Sequence, residues 1–371
     1  MRVLILTASY GSGHNAAAHA LVDAFVERGD AVTVVDHFHE LVHPAFDRAS
    51  RAIYMALLRR APMVWGAAYA LGDWLPSDSP LAFGMTRVGT QRLGARLEAL
   101  APDAVVSVHA TPAAAMSALV AEGRRLPPHT TVVTDFVAHS QWLARGIDRY
   151  CVADDDVGRE FVARGIPRER VVVTGVPVRA EFDAPVDGPA ARQALGLSPR
   201  LPVVLAMAGS NGSVGRLPDV AWALTRLTRP VQAVLVAGHD AALAETLVRQ
   251  TAGTGARVLG FVPEVRTLMA AADLLITKAG GMTLAEAIAA QVPMLLYGSL
   301  PGQERHNARF AARAGIALAA RSRHELLRLL ERALAEPELL EHLRDGVRRV
   351  HHPHAARRIV AAVVERSRQR S

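Results

Sequence analysis

The sequence of 371 residues has one cysteine, Cys151, and one lysine, Lys278, among its 42 basic residues. A single cysteine excludes an internal disulfide and suits a reducing compartment. No run reaches the roughly 20 unbroken apolar residues that a membrane-spanning helix needs. The first seven residues are typical of a strand rather than of a secretory signal. We therefore expect a cytoplasmic protein that is not embedded in a membrane.

Aromatic residues are also scarce, at 5%, whereas half of the chain is hydrophobic and 21% is charged. This balance is typical of globular proteins, and the length predicts two domains of ordinary size. The net charge of +7 favours anionic partners such as nucleic acid, lipid headgroups or phosphorylated substrates. Nucleic acid is not expected, because neither an aromatic-basic sheet motif nor a DNA-reading helix accompanies the charge.

Short apolar runs alternate with stretches of helical period along almost the whole chain. Continuous rather than alternating apolarity predicts parallel strands that are covered on both faces. Two successive sets of such runs predict two doubly wound α/β domains in tandem. The predicted strands cover 3–8, 31–36, 104–108, 131–136, 149–153, 171–175, 203–208, 233–237, 258–262, 274–277, 294–297 and 316–319.

A polar stretch over 177–200, punctuated by Pro185, Pro189 and Pro199, predicts the domain boundary. We expect one domain over 1–182 and a second over 183–350. The segment 351–371 is expected to close the chain by packing back towards the first domain.

Two closing helices are predicted over 338–350 and 355–368. His351, His352 and His354 lie between them and indicate an interhelical turn, since no carboxylate or cysteine accompanies them as a further metal ligand.

The region 43–100 contains no good strand and mixes arginines with aromatic and aliphatic residues. One interpretation is an element that lies at a membrane interface. The other is a helix pair packed on its own domain. Both hold if only one face of the pair is exposed.

The first strand leads into a glycine loop followed by a helix. Gly11, Gly13 and Ala16 fit the dinucleotide-binding spacing, and Asp36 closes the second strand at about the expected distance. An NAD-dependent oxidoreductase and a purely structural turn are therefore alternatives. We favour a loop in a reaction cleft, because His14 adds an ionisable side chain that a cofactor loop does not need.

A stronger signal follows the strand that ends at Thr277. Gly280 and Gly281 turn the chain, and a helix is predicted to begin near Met282 or Thr283. The free amides of its first turn, together with the helix dipole, are suited to a diphosphate. Glu286 lies one turn further on, where its carboxylate can accept both hydroxyls of a ribose.

Lys278 lies where the charge of a leaving diphosphate would develop, although a single lysine can also persist by chance. Gln303, Glu304 and Asn307 place polar groups at the carboxyl edge of the same predicted sheet, where α/β folds bind ligands. These side chains suit sugar hydroxyls. The alternative is a polar helix start with solvated side chains.

Three consecutive aspartates, Asp154, Asp155 and Asp156, resemble an acidic metal-binding triplet. They follow a strand and precede a helix, so we interpret them as a helix cap. No metal site is predicted.

The order of these motifs resembles the monogalactosyldiacylglycerol synthases and the bacterial processive diacylglycerol glucosyltransferases, which are related to the peptidoglycan N-acetylglucosaminyltransferase. The likeness covers nearly the whole chain. Its strings, in chain order, are 11–14, 135–136 with His139 and Trp142, 175–177, 209–210, 260–262 and 278–307.

This resemblance implies a GT-B fold, with two Rossmann-like doubly wound domains facing a central cleft. It implies a UDP-sugar donor, inversion at the anomeric carbon, and neither a cofactor nor a catalytic metal. It also implies that the N-terminal domain associates with anionic lipid, peripherally on the inner face of the cell membrane. The resemblance assigns a lipid acceptor, with diacylglycerol favoured, to a membrane-facing domain over 1–182, and the UDP-sugar donor to the domain over 183–350. The segment 48–74 would suit the association with anionic lipid.

By position, the resemblance assigns Gly209 and Ser210 to the diphosphate or acceptor, and the backbone of Phe261 and Val262 to uracil. Glu286 is assigned to ribose. The hexose contacts are assigned to Gln303, Glu304 and Asn307.

His14 is the first candidate for the base that deprotonates the acceptor, because imidazole titrates close to neutral pH. Asp135 is the alternative, either as the base or as the partner that orients a histidine. A UDP-N-acetylglucosamine 2-epimerase with the same fold, an NAD-dependent oxidoreductase and a regulatory protein without turnover stay open as other readings.

Overall fold

The computed structural model describes residues 1–10, 12–74, 89–185, 187–209 and 216–370. It divides into two compact units, one formed by Met1–Ala180 with His352–Ser371 and the other by Glu181–His351. Each unit contains a parallel six-stranded sheet. The predicted class, two doubly wound α/β domains, is confirmed.

The sheet of the first unit has the strand order β2-β1-β3-β4-β5-β6, with every neighbouring pair parallel. The chain reverses its direction across the sheet between β1 and β3, which makes their carboxyl ends the topological switch point. The strands are β1 Arg2–Thr7, β2 Ala31–Asp36, β3 Ala104–Ser107, β4 His129–Val132, β5 Arg149–Val152 and β6 Val171–Val173.

The sheet of the second unit has the order β12-β11-β10-β7-β8-β9 and is also parallel. Its switch point lies between β7 and β10. The strands are β7 Val203–Met207, β8 Gln232–Val236, β9 Arg257–Leu259, β10 Leu274–Thr277, β11 Met294–Leu296 and β12 Ala317–Ala319.

Crossover segments connect the strands, as parallel pairing requires, and all but the one between β4 and β5 contain an α-helix. In chain order they are α1 Ser12–Glu27, α2 Pro44–Arg60, α3 Pro62–Trp74, α4 Thr90–Leu100, α5 Ala110–Ala121, α6 Asp155–Ala163, α7 Gly188–Ala194, α8 Leu217–Leu224, α9 Ala241–Gln250, α10 Val265–Ala271, α11 Gly281–Ala289, α12 Gln303–Arg313, α13 Arg323–Ala335, α14 Pro337–Val350 and α15 Ala355–Arg370. A π-helix over His37–Val42 follows β2.

Each sheet is buried because its strands are apolar on both faces. Leu4, Leu6 and Val105 are fully buried in the first unit, and Leu235 and Leu295 are fully buried in the second. Removing such side chains from water supplies about 1.5–3 kcal/mol each, which is the main favourable term of the fold.

The last helix belongs to the first unit and is fixed there by polar contacts. Arg149, at the start of β5, donates from Nη1 to the Ala362 carbonyl and to Glu365, both at 2.7 Å. Asp148 accepts from Arg366 at 3.1 Å. His351, His352 and His354 form the turn between α14 and α15, as predicted.

Two predictions about local structure are confirmed by the observed helices and their caps. Asp154 caps α6, accepting from the Asp156 amide at 2.8 Å, which confirms the cap interpretation of the three aspartates. The described part of 43–100 contains the helices α2, α3 and α4 and no strand, also as predicted.

Two strand predictions were misplaced. β4 begins at His129 and ends at Val132, whereas the apolar pattern predicted 131–136. The strand begins with a buried histidine, whose Nε2 lies 2.8 Å from the Ser107 hydroxyl. A hydropathy pattern does not predict a strand start at such a polar residue. β9 ends at Leu259, so Phe261 and Val262 follow the strand, since apolarity continues after pairing stops.

Candidate functional site

His14 lies in the first turn of α1, at the carboxyl end of β1, and is half-buried. Its Nδ1 lies 2.9 Å from the Val108 carbonyl oxygen, and the Thr134 hydroxyl lies 3.2 Å from the same nitrogen. A carbonyl can only accept, so Nδ1 carries the hydrogen. The neutral ring therefore presents a lone pair on Nε2.

The charge state of His14 is set by opposing influences. Burial lowers the pKa of His14, while the charge of Asp135 and the bond to Val108 raise it, and the net direction is downwards. A lowered pKa keeps the imidazole neutral near pH 7, and a neutral imidazole can accept a proton.

Asp135 follows β4 and is 5% exposed. The Trp142 indole donates to its Oδ2 at 3.4 Å. The charge of Asp135 acts on the His14 ring and raises its pKa. The structure thus brings both predicted catalytic residues to one edge of the first sheet. Their catalytic roles stay predictions.

A polar network fixes the segment that leads into α1. The Thr7 hydroxyl donates to Asn15 Oδ1 and the Asn15 amide donates to Ser9, both at 3.0 Å. Ser9 in turn donates to Asp36 Oδ2. Gly11, part of the predicted glycine loop, lies outside the described residues, and Gly13 is half-buried in the first turn of α1.

The network gives Asp36 a structural role. Its other oxygen, Oδ1, accepts from the amides of Phe38 and His39 at 3.1 and 3.0 Å and caps the π-helix. The NAD alternative required this carboxylate to bind a ribose. Here both oxygens are engaged by the protein, so the arrangement does not support that alternative.

The second unit presents an uncapped helix start at its own switch point. β10 ends at Thr277, and Gly280 is the N-cap of α11 without any side-chain hydrogen bond to the first turn. The first amides of a helix have no intrahelical acceptor, and the helix dipole is positive at this end. Such an end binds anions. Met282, Thr283 and Glu286 are half-buried along the first two turns.

Lys278 lies beside this helix start, where its ammonium pairs with Glu304 Oε1. The second oxygen of Glu304 accepts from the Leu300 amide at 2.9 Å. Gly209, after β7, has a φ of +78°, and a Cβ at this position would lie 3.5 Å from Lys278 Cε. The ends of β7 and β10 therefore meet at these residues. Ser210, also predicted here, lies outside the described residues.

The start of α12 supports the same turn. Asn307 is fully buried, and its amide donates to the Ala279 carbonyl at 3.2 Å. The Ala279 amide donates to the Ser299 hydroxyl at 3.1 Å. Asn307 therefore holds the glycine turn in place from inside the unit. Gln303 is half-buried at the first position of α12, and its predicted hexose contact is untested.

Phe261, predicted to contact uracil, is 51% exposed after β9. Its ring stacks on the ring of His239, with centroids 4.1 Å apart and planes 13° apart. Val262 is half-buried beside it. His239 follows β8 and was not singled out from the sequence, because its proximity to Phe261 depends on the pairing of β8 with β9.

His109 is a second residue that sequence reasoning missed. It follows β3, and its ring lies 4.6 Å from that of His14 between centroids. The feature of the sequence that could have identified His109 was its position directly after a predicted apolar strand. Only the order of the sheet, with β3 beside β1, shows that this strand end adjoins His14.

Within the described ranges, none of the helices combines the length and apolarity required to cross a membrane. The same ranges contain no group of three or more histidine, cysteine or acidic side chains arranged to hold a metal ion.

The chain matches two family models that together cover most of its length. Residues 14–178 match monogalactosyldiacylglycerol synthase, and residues 203–343 match the glycosyltransferase family 28 C-terminal domain. A processive diacylglycerol beta-glucosyltransferase from Bacillus pumilus is 31% identical over 99% of this chain and 95% of its own length.

Solved structures show the same fold at lower identity. MurG from Acinetobacter baumannii superposes with a TM-score of 0.67 at 18% identity, over 98% of this chain and 100% of that one. A UDP-GlcNAc 2-epimerase from Neisseria meningitidis, bound to UDP-GlcNAc, superposes with a TM-score of 0.62 at 13% identity, over 98% and 100% of the two chains.

The two doubly wound units and the family models define the class of this protein as a glycosyltransferase with the GT-B fold. Within that class, the near-complete match to a relative at 31% identity places it more narrowly. The chain belongs to the family of the monogalactosyldiacylglycerol synthases and processive diacylglycerol glucosyltransferases.

Proposed function

We propose that the protein transfers a hexose from a UDP-sugar to diacylglycerol in an anionic membrane surface, with inversion at the anomeric carbon. The relative from Bacillus pumilus, named as a diacylglycerol glucosyltransferase, supports the acceptor class. The observation that carries the proposal is the tautomer of His14, since its hydrogen bond to Val108 leaves Nε2 as a proton acceptor.

In the proposed reaction, the acceptor hydroxyl gives its proton to Nε2 of His14 as its oxygen bonds to the anomeric carbon. The bond from that carbon to the UDP oxygen breaks on the opposite side, which inverts the configuration. UDP leaves with the bonding electrons, and His14 then returns its proton to solvent. A base positioned in this way contributes about 10²–10⁴-fold to the rate.

The second unit is proposed to hold UDP-sugar along the carboxyl edge of its sheet. The amides at the start of α11 would bind the diphosphate, and their partial charge would stabilise it as it leaves. Lys278 lies beside this position, where its ammonium pairs with Glu304, and we propose that it turns to the diphosphate when UDP-sugar binds. These groups need no bound cation, and we propose that none takes part.

The remaining donor contacts are proposed from the family. Uracil would bind at the backbone of Phe261 and Val262, and ribose at the carboxylate of Glu286. Gln303 and Glu304 would contact the hexose. Because Lys278 and the Leu300 amide engage both carboxylate oxygens of Glu304, its contact would require these bonds to rearrange. The burial of Asn307 favours an indirect role, in which it keeps the glycine turn in position.

The α2–α3 pair is proposed as the membrane-facing surface of the first unit. It exposes large apolar side chains, and Arg48, Arg59 and Arg60 are exposed on α2. Apolar side chains mixed with arginine suit the interface of an anionic bilayer. The apolar members are Phe46 (43% exposed), Ile53 (69%), Met63 (68%), Val64 (59%), Leu71 (64%) and Trp74 (87%).

This pair is tied firmly to the unit beneath it. Asp73, near the end of α3, accepts two bonds from the Arg164 guanidinium at 2.8 and 3.0 Å and one from the Ser140 amide at 2.7 Å. The His139 ring donates from Nε2 to the Tyr69 carbonyl at 3.0 Å. Both earlier interpretations of the segment are therefore compatible, since one face packs and the other is exposed.

The test is a panel of UDP-glucose, UDP-galactose and UDP-N-acetylglucosamine with diacylglycerol vesicles, analysed by mass spectrometry. We expect a new glycolipid whose anomeric configuration is opposite to that of the donor, at a rate unchanged by EDTA. Isomerisation of the free nucleotide sugar would instead favour the epimerase reading, and UDP-sugar binding without product would favour a regulatory protein.

A further inference from the structure

His109 shares the switch point of the first sheet with His14, and the proposed reaction does not yet use it. β3 ends at Ser107, and His109 follows as the N-cap of α5. The two imidazole rings lie edge to face, with centroids 4.6 Å apart and planes at 73°. Both residues are half-buried.

The two rings have opposite tautomers. The Thr111 amide donates to Nδ1 of His109 at 3.0 Å, so this nitrogen holds a lone pair and the hydrogen lies on Nε2. In His14 the hydrogen lies on Nδ1. The pair therefore offers a proton acceptor, Nε2, on the His14 ring and a hydrogen-bond donor, Nε2, on the His109 ring, with the ring centroids 4.6 Å apart. Hydrogen bonds among the described residues engage neither of these Nε2 atoms.

His109 is suited to stay neutral while His14 titrates. Burial, followed by the neighbouring His14 and His37, holds the pKa of His109 well below its usual value. A second positive charge 4.6 Å from a protonated His14 is disfavoured by repulsion. His109 therefore remains a donor through Nε2 and does not compete as the base.

We propose that His109 is an acceptor-binding residue, whose Nε2–H donates a hydrogen bond to the acceptor oxygen one carbon away from the attacking hydroxyl. The inference rests on the proposed function. In diacylglycerol that oxygen is the ester oxygen on the middle carbon of glycerol. Two rings whose centroids lie 4.6 Å apart, one an acceptor and the other a donor, suit a pair of oxygens on neighbouring carbons. The bond to His109 would then fix the orientation in which the hydroxyl reaches His14.

One substitution separates a purely structural role of His109, as the cap of α5, from the proposed role in acceptor binding. Asparagine is among the strongest N-cap residues, so His109→Asn retains the cap on Thr111 but lacks a donor at the reach of Nε2. His43 provides a matched control. It caps α2 in the same manner, with Nδ1 accepting from the Ala45 amide at 3.1 Å, and it is exposed.

The experiment compares diacylglycerol with an analogue in which a methylene replaces the ester oxygen on the middle carbon. We expect the wild-type protein to lose about tenfold in acceptor kcat/KM on the analogue, as for one lost hydrogen bond. His109→Asn is expected to lose about tenfold on diacylglycerol and nothing further on the analogue. Its donor KM and Tm stay at wild-type values, and His43→Asn matches the wild type throughout.

Three results would overturn the inference. One is a His109→Asn protein with wild-type kcat/KM on diacylglycerol, and another is an equal loss on both acceptors. The third needs no variant: wild-type protein that uses the analogue as efficiently as diacylglycerol. If the wild type forms no glycolipid with any acceptor, the proposed function itself fails, and this inference fails with it.

Discussion

The hydrogen on the His14 imidazole is held on Nδ1 because the Val108 carbonyl can only accept it. The sequence pattern predicted that His14 lies on a loop at a strand end. Asp135 was the other candidate for the base. Neither the tautomer nor the neighbouring His109 follows from the sequence. Both depend on β3 lying beside β1, and pairing over a separation of about a hundred residues leaves no local pattern.

The pH profile tests the electrostatic relation between His14 and Asp135. We expect kcat/KM to be constant near pH 7 and to fall on acidification through the pKa of His14, which lies below its ordinary value. Asp135 raises that pKa, so Asp135→Asn should move the acidic limb to still lower pH. Asp23→Asn, an exposed carboxylate on α1, is the control and should leave the limb in place.

A limb that shifts to higher pH in Asp135→Asn, or that shifts equally in the control, would contradict this relation. A large loss of activity, with the limb of the residual rate in the wild-type position, would instead favour Asp135 as the base.

At the scale of elements, the alternation of apolar and helical stretches was sufficient to predict both sheets. The predicted strand boundaries were wrong where strand pairing does not follow the hydropathy of the sequence, as at His129 and at Phe261. The glycine turn after β10 was also located from the sequence, with the helix start at Gly281, close to the predicted Met282. The burial of Asn307 was not predicted, because an asparagine in a polar helix start gives no sign that it faces inwards.

The histidine that begins β4 makes stability depend on pH. Burial lowers the pKa of His129 to about 4, from an ordinary value of 6.5. The unfolded chain therefore binds a proton between these values that the folded protein does not, so stability falls as the pH drops from 6.5 to 4. The loss from this group is about 3 kcal/mol at its limit.

His129→Gln keeps a hydrogen-bonding side chain without this titration, so its free energy of unfolding should fall less between pH 7 and pH 4.5. Urea denaturation at both values is the measurement. His19→Gln, at an exposed site on α1, should retain the wild-type dependence. An identical pH dependence in all three proteins would show that His129 does not carry the effect.

At the scale of the whole molecule, the net charge of +7 accompanies a concentration of exposed apolar residues on α2 and α3. The sequence indicated this segment by its mixture of residues. It did not show which members face outwards, since that depends on anchors such as Asp73 with Arg164.

Membrane association should therefore depend on these exposed side chains. We expect the protein to sediment with anionic vesicles more than with neutral ones, and less as salt rises. The double variant Ile53→Asp with Leu71→Asp should weaken vesicle binding by about tenfold or more, because each change removes apolar area from the interface. Val248→Asp, 56% exposed on α9, is the matched control. Equal binding by the two variants would contradict the assigned surface.

The most direct test of the account is to separate donor binding from turnover in the full-length His14→Ala protein. Calorimetric titration with UDP should give the wild-type Kd, because the proposed donor site lies in the other unit. Glycolipid formation should fall by about 10²–10⁴-fold, the contribution of a positioned base. A His14→Ala protein that binds UDP normally and forms glycolipid at a near wild-type rate would contradict the account.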